Sequence, residues 1–304
     1  GAAFPSHVKL SPPKNKKIEY LILNGVECEP YLTCDHRLML TFSSEIIKGA
    51  KIIQKILDTK EIHIGIEANK KDAFREMKKH VENDPNIHVH CLKVKYPQGG
   101  EKQLIKTVLN REVPAGGLPM DVGVVVHNVM TTYYIYKAVY FNEPLIERYI
   151  TVTGDGVKKP QNLLVPLGTP VSKILEHVEL KDNVNKIIMG GPMTGTALYS
   201  LDVPIIKGTS GIVVLENVVE QDYQNCIRCG SCIENCPMKL LPNDLSVILE
   251  KASNKFDEKY IDLAKEYNIT DCMECGACAY ACPAKRPIVQ FVKFGKAQLM
   301  KRKK

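Results

Sequence analysis

The sequence predicts a multidomain α/β protein: a parallel-sheet domain, then a small α+β module, then a helical domain organised around cysteines. Three observations predict it. From about residue 19 to 140, short apolar runs alternate with one-sided helical patterns, the rhythm of a parallel sheet covered on both faces. Residues 148 to 215 change to short strands and glycine turns. Beyond them stand two copies of one pattern, Cys226-x2-Cys229-x2-Cys232-x3-Cys236-Pro237 and Cys272-x2-Cys275-x2-Cys278-x3-Cys282-Pro283.

In the first stretch, residues 18–24 (IEYLILN) form a buried-strand run. Residues 43–57 place Ile46, Ile47, Ala50, Ile53, Ile56 and Leu57 at the spacing of a one-sided helix. Strands are expected at 62–67, 87–94 and 121–127, with helices at 71–82 and 101–110. Sites in such sheets lie at the carboxyl ends of the strands. Asn24 and His127-Asn128 fall at that edge.

The middle module is read from a strand at 149–153, turns at Gly154-Asp155-Gly156 and Gly190-Gly191-Pro192, and a helix near 171–178. No G-x-G-x-x-G follows a strand and opens a helix there, so these glycines read as turns and not as a phosphate loop. Between the Cys runs, residues 243–252 and 256–267 carry helical patterns. The expected domains are 1–147, 148–218 and 219–304.

The composition bounds the function. With 304 residues, 44% apolar and 25% charged, the chain can bury a sizeable core. No run approaches the roughly 18 uncharged apolar residues of a membrane span, so membrane association is expected through a partner. The net charge of +7 is partly gathered in Lys301, Arg302, Lys303 and Lys304. Without interleaved aromatics this reads as a solvated end, which argues against nucleic acid. Eight of the eleven cysteines sit in the two runs, leaving Cys28, Cys34 and Cys91 as scattered thiols in a reducing cytoplasmic setting. The chain opens Gly-Ala-Ala-Phe, without a signal-peptide pattern, and an upstream portion is expected.

The Cys runs carry the strongest chemistry, the ligand run of bacterial two-cluster ferredoxins. Three thiolates at i, i+3 and i+6 wrap one cubane, and the fourth, followed by proline, serves the other cluster. Crossed ligation is therefore expected. Cluster I takes Cys226, Cys229, Cys232 and Cys282; cluster II takes Cys272, Cys275, Cys278 and Cys236. Structural zinc favours separated C-x2-C pairs and gains nothing from a third evenly spaced thiol.

Clusters pass one electron at a time, so a cofactor that splits a two-electron donor is expected elsewhere, with a flavin as the candidate. Gly1-Ala2-Ala3 allows close backbone approach to a phosphate, Lys9 supplies a point charge, and Phe4 can stack on a flat ring. Asn24 and Glu27-x-Glu29-Pro30 follow a strand, where carboxylates bind ribose hydroxyls. Gly99-Gly100-Glu101 precedes a helix whose amides can face an anion. The plainer readings are a loop for Gly99-Gly100, a solvated turn for Glu27 and Glu29, and a satisfied strand-end histidine for His127.

GAAFPSHVKL at 1–10 resembles the end of the glycine-rich flavin loop in the NADH-oxidising flavoprotein subunit of respiratory complex I. It resembles more closely the C subunit of the Rnf complex, the ion-translocating ferredoxin:NAD oxidoreductase. LNGVECEPYLTCDHR (23–37), YPQGGEKQL (96–104), HNVMTTYYI (127–135), ITVTGDGVKKPQN (150–162) and the two Cys runs continue that similarity across nearly the whole chain. The resemblance implies a Rossmann-like FMN/NADH domain, a β-grasp SLBB-like module and a ferredoxin-like domain with two [4Fe-4S] clusters. It places Gly1, Lys9, Asn24, Gly99, Gly100, Asn128 and Thr131 at FMN, and Phe4, Glu29 and Glu101 at NADH.

What it implies of function is a peripheral subunit on the cytoplasmic face of the cell membrane. Electrons pass between NAD(H) and ferredoxin by way of FMN and the clusters, with a membrane-anchored iron-sulfur B subunit as the direct partner and ion translocation in other subunits. Two alternatives use the same residues: a soluble Rnf-C-like donor to a cytoplasmic reductase such as an amino-acid reductase, and a cluster-only adaptor without NADH activity. Against complex I, an acidic-motif Asp is Val26 here and paired asparagines become His127-Asn128.

Overall fold

The computed structural model describes residues 4–218, 222–255 and 258–302. The chain divides into two compact units, residues 1–218 and 219–304.

The first unit opens with α1 (Ser6–Leu10), β1 (Tyr20–Gly25), α2 (Cys34–Thr41), α3 (Ser43–Leu57), β2 (Glu61–Glu67), α4 (Lys71–Lys79) and β3 (Ile87–Leu92). It continues through α5 (Glu101–Leu109), β4 (Val124–Asn128) and α6 (Val129–Phe141). The four strands form a wholly parallel sheet in the order β3-β2-β1-β4. Strand side chains alternate between faces. Leu21 and Leu23 enter a core with Ile46, Ile53 and Met77, while Ile22 enters a second with Leu104 and Ile105. Both faces are covered, as a parallel sheet requires.

The helix expected at 43–57 is α3, but Ile56 is 52% exposed and outside the buried stripe. The strand expected from residue 121 begins at Val124, because residues 119–122 close a 3-10 turn. α6 follows β4 directly, and the Asn128 side chain accepts hydrogen bonds from the amides of Met130 and Thr131, which caps the helix.

The same unit continues with β5 (Glu147–Thr153), β6 (Gln161–Pro166), α7 (Val171–Val178), β7 (Val184–Met189), β8 (Thr196–Ala197) and β9 (Gly211–Glu216). These strands form a mixed sheet, β6-β5-β9-β7-β8, in which β5 and β9 are parallel. One face of α7, with Val171, Ile174, Leu175 and Val178, packs on Ile150, Val152, Ile212 and Val214. This module thus has its own core inside the first unit.

The second unit is helical in its described residues: α8 (Ser231–Glu234), α9 (Pro242–Lys255), α10 (Glu258–Glu266), α11 (Ala277–Tyr280) and α12 (Ile288–Lys301). Leu245, Leu249, Ala252, Ile261, Ala264 and Val292 join α9, α10 and α12. The second helix expected here, from residue 256, is α10, and Phe256 lies outside the described residues. Its two Cys runs repeat one backbone: φ is positive at Arg228 and Glu274, Gly230 and Gly276, and Lys239 and Lys285. Among the described residues no helix is long and apolar enough to cross a membrane.

Candidate flavin and iron-sulfur sites

β1 is interior to its sheet; the chain runs outward from it to β2 and β3 and then crosses back to β4 on the other side of β1, so β1 and β4 flank the crevice where such sheets bind ligands. Most of the expected flavin residues gather at this edge. Asn24 donates through Nδ2 to the carbonyl of Gly99 (2.8 Å), and its Oδ1 accepts from the amide of Val26 (3.1 Å). A Cβ at Gly99 would stand 2.6 Å from the Val26 carbonyl, so glycine lets the loop before α5 lie against the loop after β1. Gly100 caps α5.

Lys9 and Glu101, expected at different ligands, meet: Nζ of Lys9 donates to Glu101 and, at 2.8 Å, to the Val126 carbonyl. The same ammonium stands 5.8 Å from the centroid of Phe4, whose ring is half exposed. Asn128 caps α6 and donates to Asp35 (2.7 Å). Thr131 takes part through its amide, which is bonded to Asn128. Gly1 lies outside the described residues.

His127 does not behave as the satisfied histidine of the plainer reading. It is 3% exposed, and among the described residues its Nε2 has no hydrogen-bond partner. Burial, with the Lys9 ammonium adding to it, lowers its pKa to about 4, so the ring is neutral. An orphaned buried nitrogen beside Lys9 fits a ligand that carries polar atoms into this edge.

Sequence reasoning missed the support behind these residues. Both carboxylate oxygens of Glu27 accept amides at the start of α2, from Asp35 (2.9 Å) and His36 (3.2 Å). Burial, then the neighbouring Asp35, pushes the Glu27 carboxyl up to about 7. Buried Lys70 donates to the Glu27 carbonyl and to Glu67. Glu67 ends β2 at the same carboxyl edge, a position that could have marked it.

Glu29 is placed differently from the other nucleotide candidates. Its Oε1 accepts from the amides of Met193 (2.6 Å) and Thr194 (3.1 Å), and Oε2 accepts from the Thr194 hydroxyl (3.0 Å). A Cβ at Gly191 would stand 2.0 Å from Glu29 Cγ, so the glycine turn makes this contact possible.

In the second unit, one cavity is lined by Cys226, Cys229, Cys232 and Cys282, and another by Cys236, Cys272, Cys275 and Cys278. Each holds three thiols of one run and the last thiol of the other. Burial, reinforced by Cys272, Cys275 and Cys236, pushes the Cys278 thiol up to about 12. Thiols crowded so closely exist together as thiolates when cations hold them, and four thiolates suit iron-sulfur chemistry.

Three family models match in chain order: the Nuo51 FMN-binding domain at residues 1–137, the SLBB domain at 149–197 and the 4Fe-4S dicluster domain at 218–283. The chain is 48% identical over 301 residues to the C subunit of the proton-translocating ferredoxin:NAD(+) oxidoreductase complex of Clostridium ljungdahlii, covering 98% of this chain and 64% of that one. The chain belongs to the family of Rnf C subunits.

The Na(+)-translocating counterpart of Acetobacterium woodii is 43% identical, over 81% of this chain and 56% of its own length. The C subunit of an ion-translocating oxidoreductase complex of Rhodobacter capsulatus is 41% identical, over 99% and 58%. The chain thus spans roughly three-fifths of the length of these Rnf relatives. Among solved structures, an NAD+-reducing [NiFe]-hydrogenase in the air-oxidized state matches with a TM-score of 0.68 at 15% identity, covering 96% of this chain and 60% of that chain. At that identity the likeness shows the fold.

Proposed function

We propose that this chain is the electron-entry portion of an Rnf-type C subunit, exchanging electrons between NAD(H) and ferredoxin through FMN and two [4Fe-4S] clusters. The observation that carries the reading is that the Rossmann-like crevice and the two four-cysteine cavities occur in one chain of this family. A flavin supplies two-electron exchange with a nicotinamide and one-electron exchange with clusters, chemistry that belongs to the cofactor.

The protein's own part is positioning. Gly1, Gly99 and Gly100 would admit the flavin phosphate and ribityl chain, and Lys9 would supply the countercharge. Asn24, Asn128 and Thr131 would hold the ring from the β1 and β4 ends. Phe4, Glu29 and Glu101 would receive the nicotinamide nucleotide, with Glu101 leaving Lys9 and Glu29 leaving the 190–194 turn. Cluster I would be held by Cys226, Cys229, Cys232 and Cys282, and cluster II by Cys236, Cys272, Cys275 and Cys278.

The domains in this reading are 1–147, 148–218 and 219–304. The direct partner is the membrane-anchored iron-sulfur B subunit, the setting is the cytoplasmic face of the membrane, and ions move through other subunits. One observation favours a second reading, a cluster-only adaptor: both oxygens of the Glu29 carboxylate already accept hydrogen bonds from Met193 and Thr194.

Anaerobic reconstitution with iron, sulfide and FMN tests both. Under the first reading NADH bleaches the flavin and then produces low-temperature EPR signals of two reduced clusters. Reduction by dithionite with none by NADH would establish the adaptor.

A further inference from the structure

The two cysteine cavities are built from equivalent positions of one repeated pattern, so their differences can be compared residue by residue. Aligning Cys226 with Cys272 pairs Arg228 with Glu274, and each lines the cavity of its own run. The residue four after the last cysteine is Arg286 in the first cavity and Leu240 in the second. The helix that follows contributes Asn243 and Ser246 to the first, and at the equivalent positions Val289 and Val292 to the second. Four paired positions all differ in one direction: cationic or polar in the first cavity, anionic or apolar in the second.

The ion pairs behind the walls are reversed too. Arg286 is 2% exposed and bonds to Ser246, to the Gln224 carbonyl and to Glu250 at 2.6 Å. Arg286 is a lining residue of the cavity while Glu250 is not. At the second cavity Glu274 is the lining residue, and its partner Lys296, which does not line it, donates to Glu274 (2.8 Å) and to the Cys272 carbonyl (2.5 Å). Each pair partly cancels itself at long range, so the contrast rests on the whole lining: Arg228, Arg286, Asn243 and Ser246 in the first cavity, Glu274, Leu240, Val289 and Val292 in the second.

We infer that the cavity of Cys226, Cys229, Cys232 and Cys282 holds its cluster at the higher reduction potential, and that Arg286, Arg228 and Glu274 set the order. Reduction adds negative charge to a cluster. Nearby cations and hydrogen-bond donors therefore raise its potential, and a carboxylate or apolar burial lowers it. The inference rests on the crossed-ligation reading above. It implies that an electron arriving in this unit settles beside Arg286, while the cluster beside Glu274 is the harder one to fill.

The test is an EPR-monitored redox titration of the full-length protein, with iron content measured in every variant. The wild-type protein is expected to show two separate waves. Glu274→Gln should move the lower wave upward and leave the higher one in place; Arg228→Gln and Arg286→Gln should move the higher wave downward and leave the lower one. Arg286→Lys keeps the charge, and Arg228→Gln stands in where loss of buried Arg286 impairs folding. Movement of the opposite wave by these variants, or of neither, overturns the inference. Loss of iron from the wild-type protein would instead fail the cluster reading itself.

Discussion

Glu29 and Met193 stand 164 residues apart in the chain and 2.6 Å apart in the fold, carboxylate to amide. The contact ties the loop after β1 to the turn before β8. A charged acceptor on two backbone amides and a hydroxyl is worth more than a neutral hydrogen bond, roughly 1.5–3 kcal/mol. For Glu29 to reach a nucleotide it must give these bonds up. NADH is therefore expected to speed hydrogen exchange at the Met193 and Thr194 amides. Unchanged exchange at saturating NADH would leave Glu29 with the turn and remove it from nucleotide binding.

The same turn predicts the outcome of Gly191→Ala. A methyl group there meets Glu29 Cγ at 2.0 Å, so the carboxylate or the turn must move. A loss on the order of 2 kcal/mol, that of the charged hydrogen bonds, is expected in urea melts. An equal loss in Gly191→Ala whether Glu29 is present or replaced by Ala would show that the clash lies elsewhere.

Asn128 does two jobs, capping α6 and donating to Asp35. Asn128→Ala should cost about 1–2 kcal/mol from the cap alone. Asn128→Asp keeps the capping acceptor but sets a carboxylate against Asp35, whose pKa is raised first by burial. It should be more destabilising at pH 8 than at pH 5, where the pair can hold a proton. Denaturant melts at the two pH values would sink the idea if the order reversed.

Much of this is legible in the sequence, for physical reasons that also mark where legibility stops. Regular apolar spacing exposes α3 and α7, and the even thiol spacing exposes two four-cysteine cavities. α6 is not legible, since VMTTYYIYKAVYF is rich in β-branched and aromatic residues and much of its circumference is buried, leaving no clean stripe. Its start is set by Asn128, a residue that the sequence marks for a ligand rather than for a cap. The pairs Lys9–Glu101 and Glu29–Met193 join residues far apart in the chain, and no local pattern encodes them.

His127 and Glu27 predict opposite pH dependences. His127 has its folded pKa at about 4, below the unfolded value near 6.5, so the unfolded chain binds more protons between them. Its contribution to stability is present above about pH 6.5 and lost as pH falls toward 4, on the order of 3 kcal/mol in all. Glu27 is raised from 4.5 to about 7, so its contribution is present below pH 4.5 and lost as pH rises toward 7. Relative to wild type, His127→Asn should gain stability on acidification and Glu27→Gln should gain it on alkalinisation. Parallel curves for the two variants across pH 4–7 would refute both assignments.

Crossed ligation predicts a pattern that single substitutions cannot imitate. If Cys236 serves the cavity of Cys272, Cys275 and Cys278, then Cys236→Ala and Cys272→Ala damage the same cluster. The double variant should then keep half the iron and one EPR signal. Cys236→Ala with Cys226→Ala instead strikes both cavities, and that protein should lose both signals. Uncrossed ligation reverses the two results: the pair from one run would spare a cluster, and the pair drawn from both runs would destroy the two. Iron analysis of these double variants therefore separates the arrangements even where each single variant loses one cluster under either.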